Sequence, residues 1–253
     1  MAHPTQIASH RGGLFLWPEN SARAFRETAR LAVEQAECDV HLTSDGEVVV
    51  HHDATLERMT DGVGPVVARS AAELAALRVK GTAGEAPPTL AEYLAILSGT
   101  PVAPRIEIKA DAERRADPGI VPKVTAALDA PGDPPMERVF RNATRPGGLF
   151  GAMRTIRDGA HMTSQLLADG PKRLRDLGVD GAIAVARSYG FPEIGMHERL
   201  LDAGMLARFR AAGLGVGVWG ANHAPSIKRM LELRVDLFAT DDPPLAIDLR
   251  NAG

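Results

Sequence analysis

Short apolar runs alternate along the chain with longer stretches whose apolar residues recur every three or four positions. Ile7-Ala8-Ser9-His10 reads as a strand that stops at the Gly12-Gly13 turn. Ala22, Phe25, Ala29, Ala32 and Val33 then recur at helical spacing, and Asn20 is placed to cap that helix. Residues 37–42 predict a second strand, and residues 47–52 (EVVVHH), rich in β-branched side chains, a third. Asp45-Gly46 lies between them, a strong hairpin-turn pair. Capping boxes at Ser70-x-x-Glu73 and Thr89-x-x-Glu92 precede further apolar-periodic stretches, the second with Leu90, Leu94 and Leu97 on one face. Strands are predicted at 104–109, 138–141, 162–167, 181–185, 214–219 and 237–240, with helical patterns between them, notably at 198–212 and 224–233.

One connection decides the architecture. Neighbouring parallel strands need a crossover of about a dozen residues or more. The link at 43–46 is too short for that, so 47–52 is expected as the return arm of a hairpin on the second strand. Setting the arm aside leaves eight strand–helix units, an α/β fold of the TIM (β/α)8 barrel type. Residues 53–88 form a small insertion on its rim after the second strand, and the chain reads as a single domain, 1–253.

Composition narrows the function. With 29 Lys+Arg against 32 Asp+Glu the net charge is −3, which offers no footprint for nucleic acid or an anionic membrane surface. A hydrophobic share of 45% excludes a disordered chain. The single cysteine, Cys38, excludes an internal disulfide framework and a multi-cysteine zinc site. No run approaches the ~20 apolar residues that span a bilayer, and MAHPTQIASH at the start lacks a basic and then apolar leader. The expectation is a cytoplasmic protein with no nucleic-acid partner and no stable membrane insertion; composition does not address oligomeric state.

Polar groups gather at the ends of the early strands. His10-Arg11 follows the first strand, and Glu37 and Asp39 share a face of the second. His52 ends the hairpin arm, and Glu107 and Lys109 share a face of the strand at 104–109. In a barrel these lie around one mouth, where active groups gather. Three inward carboxylates repel one another in a partly dry site. A hard divalent cation such as Mg²⁺ or Ca²⁺, which takes oxygen ligands, offsets that charge. Arg11 and Lys109 suit an anionic substrate, and two histidines suit proton transfer near neutral pH. Together these fit phosphoryl chemistry. Trp219 is placed to line the pocket against an apolar part of the substrate, with core filling as the alternative. His51 falls on the opposite face of the arm and Cys38 on the opposite face of its strand, so neither is given a catalytic role. Glu19 is expected to brace the metal site.

The ordered set His10-Arg11-Gly12, Pro18-Glu19-Asn20-Ser21, Glu37-x-Asp39-Val40, Thr43-x-Asp45-Gly46 and His52-Asp53 resembles glycerophosphodiester phosphodiesterases. Pro88-Thr89-Leu90, Glu107-Ile108-Lys109, Trp219-Gly220-Ala221-Asn222 and Thr240-Asp241-Asp242-Pro243 continue the resemblance in the family's order. The resemblance implies a TIM barrel with a small insertion, and cleavage of glycerophosphodiesters to an alcohol and sn-glycerol 3-phosphate with a divalent metal. It makes His10 and His52 the acid–base pair, Glu37, Asp39 and Glu107 the metal ligands, and Arg11 and Lys109 phosphate contacts. Where many members carry a Ser-Phe pair after the fourth barrel strand, this chain has Phe140-Arg141-Asn142. Two other readings stand beside this one. A phospholipase D or sphingomyelinase D resembles the same early motifs but typically carries Asp where Glu107 stands, and a non-catalytic barrel would bind a phosphorylated ligand through the same groups.

Overall fold

The computed structural model describes residues 4–109, 119–128, 138–141, 156–157, 160–161, 165–167, 170–189 and 191–253. Its strands are β1 (Gln6–Ser9), β2 (Gln35–Leu42), β3 (Val48–Val50), β4 (Ala103–Ile108), β5 (Arg138–Arg141), β6 (Ile156–Arg157), β7 (Ala160–His161), β8 (Gln165–Leu167), β9 (Glu193–His197), β10 (Gly215–Trp219) and β11 (Leu237–Thr240). Its helices are α1 (Ala22–Thr28), α2 (Ala71–Ala75), α3 (Leu90–Leu97), α4 (Ile120–Leu128), α5 (Gly170–Tyr189), α6 (Ala203–Ala211), α7 (Ala224–Leu233) and α8 (Pro243–Asn251).

Eight strands pair in the order β5-β4-β2-β1-β11-β10-β9-β8. Every ladder along this path is parallel. The path curls until its end strands β5 and β8 approach each other, a TIM-barrel-like arrangement. β3 lies off the path and pairs antiparallel with β2, Val40 opposite Val50 and Leu42 opposite Val48. The hairpin expected from the short 43–46 link is therefore present.

Period-two alternation gives each strand two chemistries. The outward side chains Ile7, Ala36, Cys38, Val40, Ile106, Ile108, Ile194, Met196, Val216, Val218 and Phe238 join one core with helix residues that include Phe25, Tyr93, Leu97, Phe209 and Ile227. Phe25 meets Tyr93 edge to face with ring centroids 4.6 Å apart, and the Tyr93 hydroxyl donates to the Ala36 carbonyl at 2.6 Å. On β2 and β4 the inward face is polar. Arg105 donates to Gln35 Oε1 and to Glu193 Oε1, each at 3.0 Å, and Gln35 Nε2 donates to Gln6 Oε1 at 2.8 Å. This network joins β1, β2, β4 and β9 across the barrel interior. A second, smaller core of Val49, Leu56, Val66 and Leu74 packs under residues 51–88.

One predicted strand is corrected and one strand is added. The strand expected at 181–185 lies inside α5, and the strand that completes the eight is β9. Ala182 and Ala186 are buried four residues apart, a helical spacing, and the alanine-rich run favours helix. β9 escaped detection because its inward positions are Glu193, Gly195 and His197, leaving Ile194 and Met196 as its apolar pair. The strand expected at 162–167 is β8, with 162–164 outside the described residues. The departure at Asn142 also lies outside them.

The Arg105–Glu193 pair is 5% and 4% exposed. Removing one partner of such a pair typically costs about 3–5 kcal/mol, because a charge is left buried. Glu193→Leu is therefore expected to lower unfolding free energy in urea by that amount, whereas a loss below about 1 kcal/mol would show the interior pair to be dispensable.

Candidate active site

β2 and β4 build the centre. Their register sets Glu37 opposite Arg105 and Asp39 opposite Glu107. Glu37 and Asp39 are 4% and 0% exposed. Glu37, Asp39 and Glu107 each bring one carboxylate oxygen within 4.8 Å of the others. Burial, and then the Asp39 charge, push the Glu37 carboxyl up to about 7. Asp39 is held well below the usual carboxylate range: burial opposes ionisation, but Lys109, His52 and Arg11 outweigh it.

The turn after β1 supplies a cation. Arg11 adopts φ 51 and ψ 30, which aims its backbone N–H at Glu37 Oε2, 2.8 Å away. Its side chain donates through Nη1 to Glu19 Oε1 at 3.1 Å and sets Nε 3.3 Å from Asp39 Oδ2. Gly12 follows at φ +80, where a Cβ would stand 2.7 Å from the Ala24 Cβ, so only glycine fits. Lys109 Nζ donates to Glu107 Oε1 at 2.8 Å and stands 3.2 Å from Asp39 Oδ1.

Asn20 does not cap α1 as expected. Ser21 does, accepting from the Ala24 N–H. Asn20 instead takes φ 54 and holds Asp39 twice, donating from Nδ2 to Oδ2 at 2.8 Å and accepting the Asp39 backbone N–H at 3.3 Å. Glu19 bonds Arg11 and Arg58, and through Arg11 it stands behind the carboxylates that Arg11 contacts.

Both predicted histidines sit at this mouth, each with Nδ1 on a carboxylate. His10 Nδ1 meets Asp241 Oδ1 at 2.5 Å. Asn222 fixes Asp241 in turn, accepting its backbone N–H at 2.9 Å and donating to Oδ2. Burial opposes protonation of His10, but the Asp241 bond and the Glu37 charge overcome it and raise its pKa. His52 Nδ1 meets Asp53 Oδ1 at 2.6 Å; burial, with Lys109 and Arg11 nearby, lowers its pKa. Binding through Nδ1 leaves each Nε2 as the ring nitrogen for proton transfer. His51 turns away, its Nε2 donating to the Thr55 carbonyl at 3.0 Å. Half-buried Trp219 packs on Ala8, Leu237 and Ala239 inside the barrel and meets His197 edge to face at 6.3 Å.

Sequence reasoning gave no role to Asp241, Asn222 and Asp53, although all three stand in quoted motifs. Arg58 and His41 were not singled out, and no spacing in a single sequence marks them. His41, inward on β2 and pushed down to about 4 by burial, donates from Nε2 to the His52 carbonyl at 3.2 Å.

The carboxylate set suits a hard cation. Glu37 Oε1 is buried with no hydrogen-bond partner, and buried Asp39 Oδ1 has only the Lys109 ammonium, 3.2 Å away. Ligands about 2.0–2.6 Å from one Mg²⁺ or Ca²⁺ are at most about 4–5 Å apart, the span these oxygens occupy. Among the described residues no helix is long and apolar enough to cross a membrane.

A glycerophosphodiester phosphodiesterase of Caldanaerobacter subterraneus subsp. tengcongensis is 35% identical over 129 residues, 49% of this chain and 52% of its own length. The chain thus spans about half the length of that curated relative. A glycerophosphodiester phosphodiesterase of Arabidopsis thaliana is 27% identical across 96% of this chain and 72% of its own. Among solved structures, a putative glycerophosphoryl diester phosphodiesterase of Agrobacterium tumefaciens superposes with a TM-score of 0.86 at 32% identity, covering 99% of this chain and 98% of that one. An Oleispira antarctica phosphodiesterase, solved with the product sn-glycerol-3-phosphate, shares the fold at a TM-score of 0.74 and 21% identity, covering 97% of each chain. Residues 10–245, which hold every side chain of the mouth described above, match the glycerophosphoryl diester phosphodiesterase family, and the chain belongs to that family.

Proposed function

We propose that the protein hydrolyses glycerophosphodiesters to an alcohol and sn-glycerol 3-phosphate. The observation that carries this reading is the joint geometry of the mouth. Three crowded carboxylates, one of them with an unpartnered buried oxygen, stand beside two histidines that are each tethered through Nδ1 to a carboxylate. The relatives and the fold support it. Glu37, Asp39 and Glu107 would hold a divalent cation, Mg²⁺ or Ca²⁺, which when bound supplies Lewis acidity at a phosphoryl oxygen and neutralises the carboxylates.

The chain's own residues account for the rest. Arg11 and Lys109 bind the phosphate charge, the first as a planar fork and the second as a point charge. Trp219 lines the pocket against an apolar part of the substrate. One histidine takes the proton of the attacking oxygen, that of water or of the glycerol hydroxyl beside the phosphate; in the second case a cyclic phosphate forms first and water then opens it to sn-glycerol 3-phosphate. The other returns a proton to the departing alcohol oxygen. Asp53 and Asp241 fix the two tautomers, so that Nε2 is the working nitrogen on each ring. We read the chain as one domain, 1–253, with 53–88 as its rim insertion, acting in the cytoplasm.

A panel of glycerophosphocholine, glycerophosphoethanolamine, glycerophosphoglycerol, glycerophosphoinositol and a lysophospholipid tests the reading by product release. Turnover of the lysophospholipid alone would point to the phospholipase D reading, and turnover of none to a binding barrel. His10→Ala and His52→Ala are expected to lose roughly 10²–10⁴-fold in kcat while staying folded. His51→Ala should keep kcat near wild type, since its ring bonds the Thr55 carbonyl. A p-nitrophenyl leaving group, which needs no proton, should rescue the variant that lacks the acid and leave the other inactive. EDTA should abolish turnover and Mg²⁺, Mn²⁺ or Ca²⁺ restore it, and full activity in a preparation free of metal by elemental analysis would overturn the cation's role.

A further inference from the structure

Arg58 lies outside the motifs that carry the family resemblance, on the segment between β3 and α2. Its guanidinium makes four hydrogen bonds on two edges. Nε donates to Asp53 Oδ2 at 2.6 Å and Nη2 to Asp53 Oδ1 at 2.9 Å. Nη1 donates to Glu19 Oε2 at 2.8 Å and Nη2 to Glu19 Oε1 at 2.7 Å. Each carboxylate is also committed to the mouth through an oxygen that Arg58 holds. Asp53 Oδ1 meets His52 Nδ1 at 2.6 Å, and Glu19 Oε1 accepts Arg11 Nη1 at 3.1 Å. One planar cation therefore joins the histidine arm to the arginine turn.

We propose that Arg58 is a positioning residue for the reaction, a shared clamp that sets His52 through Asp53 and Arg11 through Glu19. The proposal rests on the phosphodiesterase reading above. Exposed ion pairs are ordinarily worth little, and the Arg58 side chain is 45% exposed, but its partners Glu19 and Asp53 are 3% and 27% exposed and both are gripped bidentately. Lysine cannot replace it, because an ammonium lacks two forked edges at fixed angles.

The backbone under Arg58 is anchored. Leu56 belongs to the small core with Val49, Val66 and Leu74, and its N–H donates to the Gly64 carbonyl at 3.1 Å. The Thr60 N–H donates to the Leu56 carbonyl at 3.0 Å and the Lys80 N–H to the Met59 carbonyl at 2.8 Å. The small core thus has a task beyond packing, since it mounts the clamp on a rigid base.

The test compares Arg58→Ala and Arg58→Lys in the full chain, on the diester turned over fastest by wild type. Both variants are expected to lose about 10–10²-fold in kcat/KM, the scale of a small misplacement of reacting groups. Millimolar guanidinium chloride should restore Arg58→Ala several-fold while leaving wild type and His52→Ala unchanged, an effect that a merely structural role would not produce. The double variant Asp53→Asn/Arg58→Ala should lose little more than the worse single variant, as coupled residues do. A second readout needs no turnover: the proton resonance of His52 Nδ1–H, assigned by its loss in His52→Gln, should move in both Arg58 variants. If Arg58→Ala does not fold, Arg58→Lys carries the kinetic and spectroscopic measurements. Near wild-type kcat/KM, no guanidinium rescue and an unmoved His52 resonance would overturn the clamp. Wild type inactive on the whole panel would overturn the functional reading instead, and the resonance alone would then decide for or against the clamp.

Discussion

Crowding three carboxylates into one end of a barrel is the constraint to which the rest of the mouth answers. Parallel neighbours β2 and β4 set Asp39 beside Glu107, with Glu37 two residues back on the same face. Like charges this close raise one another's pKa unless cations intervene. Arg11, Lys109 and the Asn20 amide all converge on Asp39. Glu37 receives one backbone N–H, from Arg11. The asymmetry explains why Asp39 stays ionised while Glu37 is pushed up to about 7. A cation would complete what the side chains leave half done.

The same alternation that aims these groups inward builds the shell outside. Ala36, Cys38 and Val40 face helices while Gln35, Glu37, Asp39 and His41 face the interior. The site is thus not an addition to the core but its reverse side. Beneath it, the Gln6–Gln35–Arg105–Glu193 network crosses the interior with hydrogen-bonded polar groups. Such a floor resists slippage of the strands, because a shift by one residue would turn charges into the apolar shell.

Legibility in the sequence followed periodicity. β2 and β4 were readable because chemistry and core alternate cleanly along them, and the 43–46 link placed β3 without further help. The count of eight strands held for a mixed reason: residues 181–185 were read as a strand and β9 was missed. Ile183 and Val185 alternate as they would on a strand although the alanines between and beside them favour helix, and a strand whose inward face is Glu, Gly and His looks polar. The charged residues and the two histidines named from sequence do converge, but their supports did not show. Asn20 carries a cap-forming side chain, yet its left-handed backbone turns it onto Asp39 and hands the cap to Ser21. Arg58 joins Asp53, 5 residues away, to Glu19, 39 residues away, and the long-range half of that pairing leaves no local pattern.

Cys38 sits between Glu37 and Asp39 and is fully buried on the helix side of β2. Burial, reinforced by the neighbouring carboxylates, holds its thiol protonated, and a buried thiol is inert towards alkylating reagents. It is the chain's sole cysteine. Its modification therefore requires that β2 part from its helices, so a single chemical reagent times the opening of the one strand that presents two of the three crowded carboxylates. The protein carries its own clock for the integrity of its centre, written on the back of the strand that forms it.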